Sequence, residues 1–415
     1  MRIRLVAVDT RGGVQPYAAL ALGLQAAGHD VAVAAPEDFT GWLTGLGLRA
    51  ITLSGSMQEG ARAAAELGGR SAVVPRALRD RVVEQTLTRS AQLLAAAQDA
   101  DLLLGGIGGA TLGVDVAERL GVPFVHAHLQ PVGTPAAAMP GVLTPWMPAW
   151  TGAAGRRLGG LLTESALTLP FRAGSRAART QVLGLPARRP ATDARTPVLY
   201  GFSRHVVPRP AGWPATHHVT GYWFLPGDPA WHPPAALTAF LDAGEPPVCV
   251  GFGSMIGADP DATTAVVLDA LARSRTRAVL LTGWGGLAPG PVSDDVLAVE
   301  HVPHAWLFPR VAAVVHHGGA GTTAATLRAG TPSVVVPHGV DQPYWGRRVA
   351  ALGAGPPPLP RASLTAERLA TAIRTAVAAP GMGAEARRLR DAIADEDGVG
   401  TAVTQLERLA VNGSF

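Results

Sequence analysis

Ten residues in the last third of the chain combine most of the groups that could bind an anion. Residues 314–323 read VVHHGGAGTT, an apolar run followed by two histidines, three glycines and two threonines. Glycines let a ligand approach the backbone, and the free amides at the start of a helix favour phosphate. The candidates for phosphate binding are His317, Gly318, Gly319, Gly321 and Thr322. A glycine-rich turn with a threonine helix cap would give the same pattern, so both interpretations stay open on these residues alone.

A second polar pair follows the next apolar run of the chain. In PHGVDQPYWGRR, Asp341 and Gln342 come directly after residues 332–337. A carboxylate and an amide suit sugar hydroxyls, although Asp341 could instead cap a helix that starts at Pro343. A phosphate cradle and a hydroxyl-binding pair one crossover apart indicate a nucleotide-sugar pocket. The chain has no lysine, which excludes a P-loop, and the glycines lie too far along the chain for a dinucleotide fingerprint.

These groups need parallel strands to position them. RIRLVAV, YAALALGLQAA and DVAVAAP form a β–α–β unit within the first 36 residues, and the alternation restarts at PPVCVGFGSM, residues 246–255. Alternating strands and helices predict an α/β protein with parallel sheets covered on both faces. We expect two doubly wound, Rossmann-like domains that face each other across a cleft. They would span residues 1–212 and 213–396, and a helix in 397–415 would pack back on the first domain.

Composition limits the class of protein. All 35 basic residues are scattered arginines, which argues against a nucleic-acid surface, and the single cysteine, Cys249, lies in an apolar run. Residues 120–155 carry no charge, but six prolines interrupt them, so stable membrane insertion is not expected. The N-terminus turns polar too soon for a signal peptide. The sequence therefore predicts a cytoplasmic protein, and it allows a homodimer.

Five segments, taken together and in order, carry a family resemblance: TRGGVQPY, GYWFLP, FLDAGEPPVCVGFGSM, HVPHAWLFPRVAAVVHHGGAGTT and PHGVDQPYWGRRVAALG. The chain resembles a family 1 glycosyltransferase of the GT-B fold, from the bacterial natural-product branch, and is similar to glycopeptide-antibiotic and sterol glycosyltransferases. The resemblance implies an inverting hexosyltransferase of class EC 2.4 that needs no metal or other cofactor. It would move a hexose or deoxyhexose from a UDP or TDP sugar to a small hydrophobic aglycone such as a polyketide, macrolide, glycopeptide or sterol.

The resemblance also assigns roles to particular residues. The donor diphosphate would contact the glycine loop together with Arg11 and Ser254. The nucleobase would contact the backbone of Val302 and stack on Trp284, unless Trp284 packs in a core. Asp341 and Gln342 would hold the donor sugar.

One position departs from the family pattern. Related members carry an aspartate, the general base, where the loop DTRGGVQP has Gly13. Asp9 could replace it, or His126 or His128, because histidine titrates near neutrality. Each of these side chains could equally be structural. An acidic phenol or an activated carbon as acceptor would need no strong base.

The acceptor is expected to bind the uncharged stretch 129–155, through Met139, Trp146, Met147 and Trp150. Aromatic and methionine side chains suit a flat apolar aglycone, although this stretch could instead pack on its own domain.

Two other functions compete with transfer. A catalytically silent homologue could bind nucleotide sugar and assist a partner transferase, which Gly13 favours and the His317 loop opposes. A nucleotide-sugar epimerase should carry acidic and histidine residues in both domains, and the first domain lacks a matching carboxylate cluster.

Overall fold

The computed structural model describes residues 1–60, 76–189, 196–253, 260–283 and 293–411. They divide into two compact units. The first contains the described residues up to Leu225 and those from Glu396 onward, and the second runs from Pro226 to Asp395.

The first unit is built on a seven-stranded parallel sheet with strand order β3-β2-β1-β4-β5-β6-β7. Its strands are β1 Arg2–Val6, β2 Asp30–Pro36, β3 Arg49–Leu53, β4 Leu102–Gly105, β5 Phe124–His128, β6 Val198–Tyr200 and β7 His217–Val219. The central strands are buried on both faces, which explains their almost purely apolar sequences. The strand order reverses between β1 and β4, and such a switch point is where open α/β sheets bind ligands.

Helices cover both faces of this sheet. They are α1 Arg11–Ala26, α2 Glu37–Gly45, α3 Arg76–Ala96, α4 Ile107–Leu120, α5 Gly152–Thr168 and α6 Arg172–Gln181. Helix α1 is followed by Gly28, at φ +86°, and α4 by Gly121, at φ +69°, and this left-handed conformation, which favours glycine, terminates both helices. A further helix, α14 Gly398–Val411, packs on α1, where Val399 lies against Gly23.

The second unit repeats this design with five parallel strands in the order β10-β9-β8-β11-β12. The strands are β8 Val248–Gly251, β9 Ala278–Leu281, β10 Val296–Val299, β11 Ala313–His316 and β12 Ser333–Val335. The helices are α7 Ala235–Asp242, α8 Pro260–Ser274, α9 His304–Leu307, α10 Ala320–Ala329, α11 Gln342–Ala351, α12 Ala366–Ala378 and α13 Pro380–Ala394. The predicted α/β fold with two doubly wound parallel sheets is confirmed.

The first helix begins earlier than its apolar pattern predicts. The pattern starts at Tyr17, whereas α1 starts at Arg11 and includes Gly12, Gly13 and Pro16. Pro16 lies in the second turn of α1 and has no amide hydrogen, so the helix forgoes the backbone hydrogen bond that this position would donate to the Gly12 carbonyl.

None of the helices in the described part of the chain is long and apolar enough to span a membrane.

Candidate functional site

The glycine loop lies at the switch point of the second sheet. Strand β11 ends at His316, and Gly319 immediately precedes α10. Gly318 has φ +90°, a conformation that favours glycine, and its amide donates to His316 Nδ1 at 3.1 Å. The strand order of this sheet reverses between β8 and β11, so the start of α10 lies where such sheets bind ligands. This loop has the geometry of an anion site.

His317 is partly buried beside the loop glycines. A Cβ built on Gly319 would lie 2.4 Å from His317 Nε2, so the ring occupies space that only glycine leaves open. Burial first, and then the charges of His338 and His304, lower the pKa of His317 to about 4. The imidazole is therefore neutral near pH 7 and carries one ring N–H. Its Nδ1 has no hydrogen-bond partner among the described residues, which leaves it available to a ligand.

A cavity of about 100 Å³ opens beside this loop. Its lining includes residues at or just beyond the carboxyl ends of the strands and one threonine of α10: Gly251, Leu281, Glu300, Val302, His304 and Thr322. Val302 is buried, and Thr322 lies in the first turn of α10. The cavity therefore joins two elements that the sequence assigns to the same ligand. No sequence motif pointed to Glu300 or His304, although both directly flank the HVP segment that contains Val302.

After β12 a turn leads into α11, with Asp341 directly before the helix and Gln342 as its first residue. Asp341 Oδ2 accepts from Trp345 Nε1 at 2.9 Å. The buried Gln342 uses its Oε1 to accept the amides of His338, at 2.7 Å, and Gly339, at 3.2 Å. Val340 has φ +53°, a strained conformation for a β-branched residue. Both polar side chains therefore stabilise the turn that presents them.

Replacing Gln342 with leucine should destabilise this turn, because two amides would lose their acceptor. We expect the free energy of unfolding to fall by about 1–3 kcal/mol, measured by urea titration. Gln342→Glu is the matched control, since it keeps an acceptor oxygen at the same place. Equal losses in both variants would contradict this structural role.

Three further residues were proposed for the donor site. Ser254 and Trp284 lie outside the described residues. Arg11 lies in the first unit, with its guanidinium 4.5 Å from the centre of the Trp42 ring, and burial lowers its pKa. Among the described residues, no group of three or more histidine, cysteine or acidic side chains is placed to hold a metal ion.

The first unit places Asp9 at the switch point of its own sheet. Asp9 follows β1, its side chain is exposed, and its Oδ1 accepts the amide of Thr10 at 2.6 Å. Across the switch point, β4 ends at Gly105. A carboxylate is therefore present at the edge of the sheet where a ligand of this unit is expected.

His126 and His128 lie on one face of β5, as their spacing requires. Their rings stack with centroids 5.4 Å apart, and His128 also packs near Tyr200. Burial lowers the pKa of His126 to about 4 and that of His128 well below its usual value. A histidine that acts as a base becomes positively charged when it accepts the proton. Burial disfavours that charge, so it weakens both histidines as general bases.

The proposed acceptor residues lie in the segment between β5 and α5. Trp146 and Trp150 are 62% and 85% exposed, while Met139 and Met147 are partly buried. The Met147 thioether lies against Gly159 of α5. The segment continues into α5 with Leu158, Leu161 and Leu162, which are also exposed. This end of the unit presents apolar side chains to solvent.

Comparisons with known proteins identify the family of the chain. Residues 267–409 match a family model described as the C-terminal domain of erythromycin biosynthesis protein CIII-like proteins. O-mycaminosyltylonolide 6-deoxyallosyltransferase of Streptomyces fradiae is 36% identical, over 99% of this chain and 98% of that protein. A sterol 3-beta-glucosyltransferase of Arabidopsis thaliana is 33% identical, over 97% of this chain and 64% of that protein.

Solved structures show the same fold. The glycosyltransferase VinC in complex with dTDP superposes with a TM-score of 0.67 at 22% identity, over 100% of both chains. The glycosyltransferase of kitacinnamycin has a TM-score of 0.67 at 20% identity, over 98% of each chain. The chain therefore belongs to the GT-B glycosyltransferases of family 1, in the group that includes natural-product and sterol glycosyltransferases.

Proposed function

We propose that this glycosyltransferase moves a hexose or deoxyhexose from a UDP or TDP sugar to a small hydrophobic aglycone, with inversion at the anomeric carbon. The observation that carries the proposal is the cavity beside the glycine loop, where Val302, Thr322 and the start of α10 meet.

The donor half of the proposal rests on the second unit. The nucleobase would occupy the cavity at Val302, and the diphosphate would lie at the start of α10, where backbone amides and the helix dipole favour negative charge. The dTDP bound by VinC supports a nucleoside diphosphate as ligand. Asp341 and Gln342 would then hold the sugar beyond the diphosphate.

The chemistry follows from where charge develops. In an inverting displacement, the acceptor oxygen attacks C1 of the sugar while the bond from C1 to the diphosphate oxygen breaks. The leaving diphosphate gains negative charge, which the amides at the start of α10 and the ring N–H of His317 would stabilise. These groups would supply this stabilisation without a metal ion.

The acceptor half rests on the exposed apolar residues of the first unit. Trp146, Trp150 and the leucines of α5 are exposed, and a flat apolar molecule would bury apolar area against them. The relatives named for an O-mycaminosyltylonolide substrate and for sterols support an acceptor of this kind.

The test is transfer by the purified chain, with UDP and TDP sugars offered against phenolic, sterol and macrolide acceptors. We expect a glycoside in the mass spectrum and an inverted anomeric configuration by NMR. Calorimetric titration with UDP and dTDP, run in parallel, separates binding from chemistry. Nucleotide binding without transfer to any acceptor would favour the silent homologue that assists a partner transferase.

A further inference from the structure

The side chain of Asp9 occupies the space above Gly13. A Cβ built on Gly13 would lie 2.2 Å from Asp9 Cγ, 2.2 Å from Oδ2 and 2.5 Å from Cβ. No side chain at position 13 fits while Asp9 keeps this conformation. The carboxylate group of Asp9 therefore stands where the first atoms of a residue 13 side chain would be.

The surrounding contacts hold the carboxylate in place. The amide of Thr10 donates to Oδ1, while Oδ2 is the oxygen that lies over Gly13. Gly13 is buried in the first turn of α1, so the carboxylate rests against a fixed backbone. Asp9 itself is exposed, so a substrate can reach it.

Tyr17 of α1 lies near enough to this carboxylate to respond to its charge. Tyr17 of α1 donates its hydroxyl to the carbonyl of Ala127, and burial, reinforced by the charge of Asp9, raises its pKa. Tyr17 therefore stays protonated and cannot act as a base. A Cβ built on Gly106, just beyond β4, would lie 2.0 Å from the Tyr17 hydroxyl oxygen. Only glycine at position 106 therefore leaves room for the Tyr17 side chain.

We propose that Asp9 is the general base of the transfer reaction, its carboxylate supplied from the β1 loop in place of a side chain at position 13. The inference rests on the proposed function. As the acceptor oxygen forms its bond to C1 of the sugar, its proton passes to an Asp9 carboxylate oxygen. The electron pair of the broken C1–O bond leaves with the nucleoside diphosphate. The proton on Asp9 then returns to solvent.

The experiment moves the carboxylate between positions. Asp9→Asn should lower kcat by about 10²–10⁴-fold, the usual contribution of a general base, and leave the calorimetric Kd for the nucleotide unchanged. The acid limb of the pH profile of kcat/KM should disappear in this variant. The kcat of Asp9→Gly/Gly13→Asp should be at least tenfold higher than that of Asp9→Asn, because removing the Asp9 side chain clears the space at position 13.

Asp9→Gly/Gly12→Asp is the matched control, since a Cβ on Gly12 meets no atom within 4 Å and its carboxylate would not occupy the Asp9 position. It should recover nothing. Full activity of Asp9→Asn, or equal recovery by both double variants, overturns the assignment while leaving the proposed function intact. A wild-type chain that binds nucleotide but transfers to no acceptor overturns both.

Discussion

Replacing His317 with alanine should reduce kcat for sugar transfer by about 10²–10³-fold, the effect of removing one donor to a developing negative charge. His317 is neutral because burial lowers its pKa to about 4, so it acts through one N–H. That N–H stabilises the diphosphate most strongly once the departing group carries its full negative charge. The loss should therefore appear in kcat more than in the KM for the nucleotide sugar.

A matched variant distinguishes this role from a non-specific effect of replacing any histidine in the unit. His232 lies in the same unit with an exposed side chain, so His232→Ala should retain wild-type kcat. Gly319→Ala should lower kcat without removing His317, because its Cβ would lie 2.4 Å from Nε2 and displace the ring. Wild-type kcat in His317→Ala would contradict the assignment, with rates read by release of nucleoside diphosphate.

The glycine loop could be predicted from sequence because its signal is local. A β-branched run, a histidine pair and three glycines within ten residues imply strand, loop and helix start, and β11, Gly319 and α10 follow in that order. The alternation of period two likewise placed His126 and His128 on one face of β5.

Other features depend on contacts with residues that are distant in the sequence. The burial of His128 comes from packing near Tyr200, which lies 72 residues further along, and no local pattern reports it. Strands β6 and β7 have three residues each, too few for a periodic signal. The contact between Asp9 and Gly13 depends on how the loop turns into α1, and the apolar pattern places that helix start six residues too late.

The chain should also lose stability steeply between about pH 6.5 and pH 4. The pKa values of the partly buried His126 and His317 are lowered to about 4. That of the buried His316 is lowered to about 3, and that of the buried His128 lies well below its usual value. In the unfolded chain each of these histidines is protonated near pH 6.5. In the folded chain the same histidine stays neutral until the pH reaches its lowered pKa. Stability is therefore full above this window and falls as the pH is lowered through it. A histidine with a pKa of about 4 contributes a loss of roughly 2 kcal/mol at pH 5.

One substitution isolates a single histidine. His126→Gln removes the titrating group, whose pKa is lowered first by burial and then by the charges of Arg189 and His217. Between about pH 7.5 and pH 5, the unfolding free energy of the variant should fall by roughly 2 kcal/mol less than that of the wild type. Arg189 and other hydrogen-bond donors hold the pKa of Asp115 below its usual value, so its loss comes at lower pH and does not enter this window. Equal pH dependence of the wild type and His126→Gln, measured by urea titration at both pH values, would mean that His126 is protonated in the folded chain.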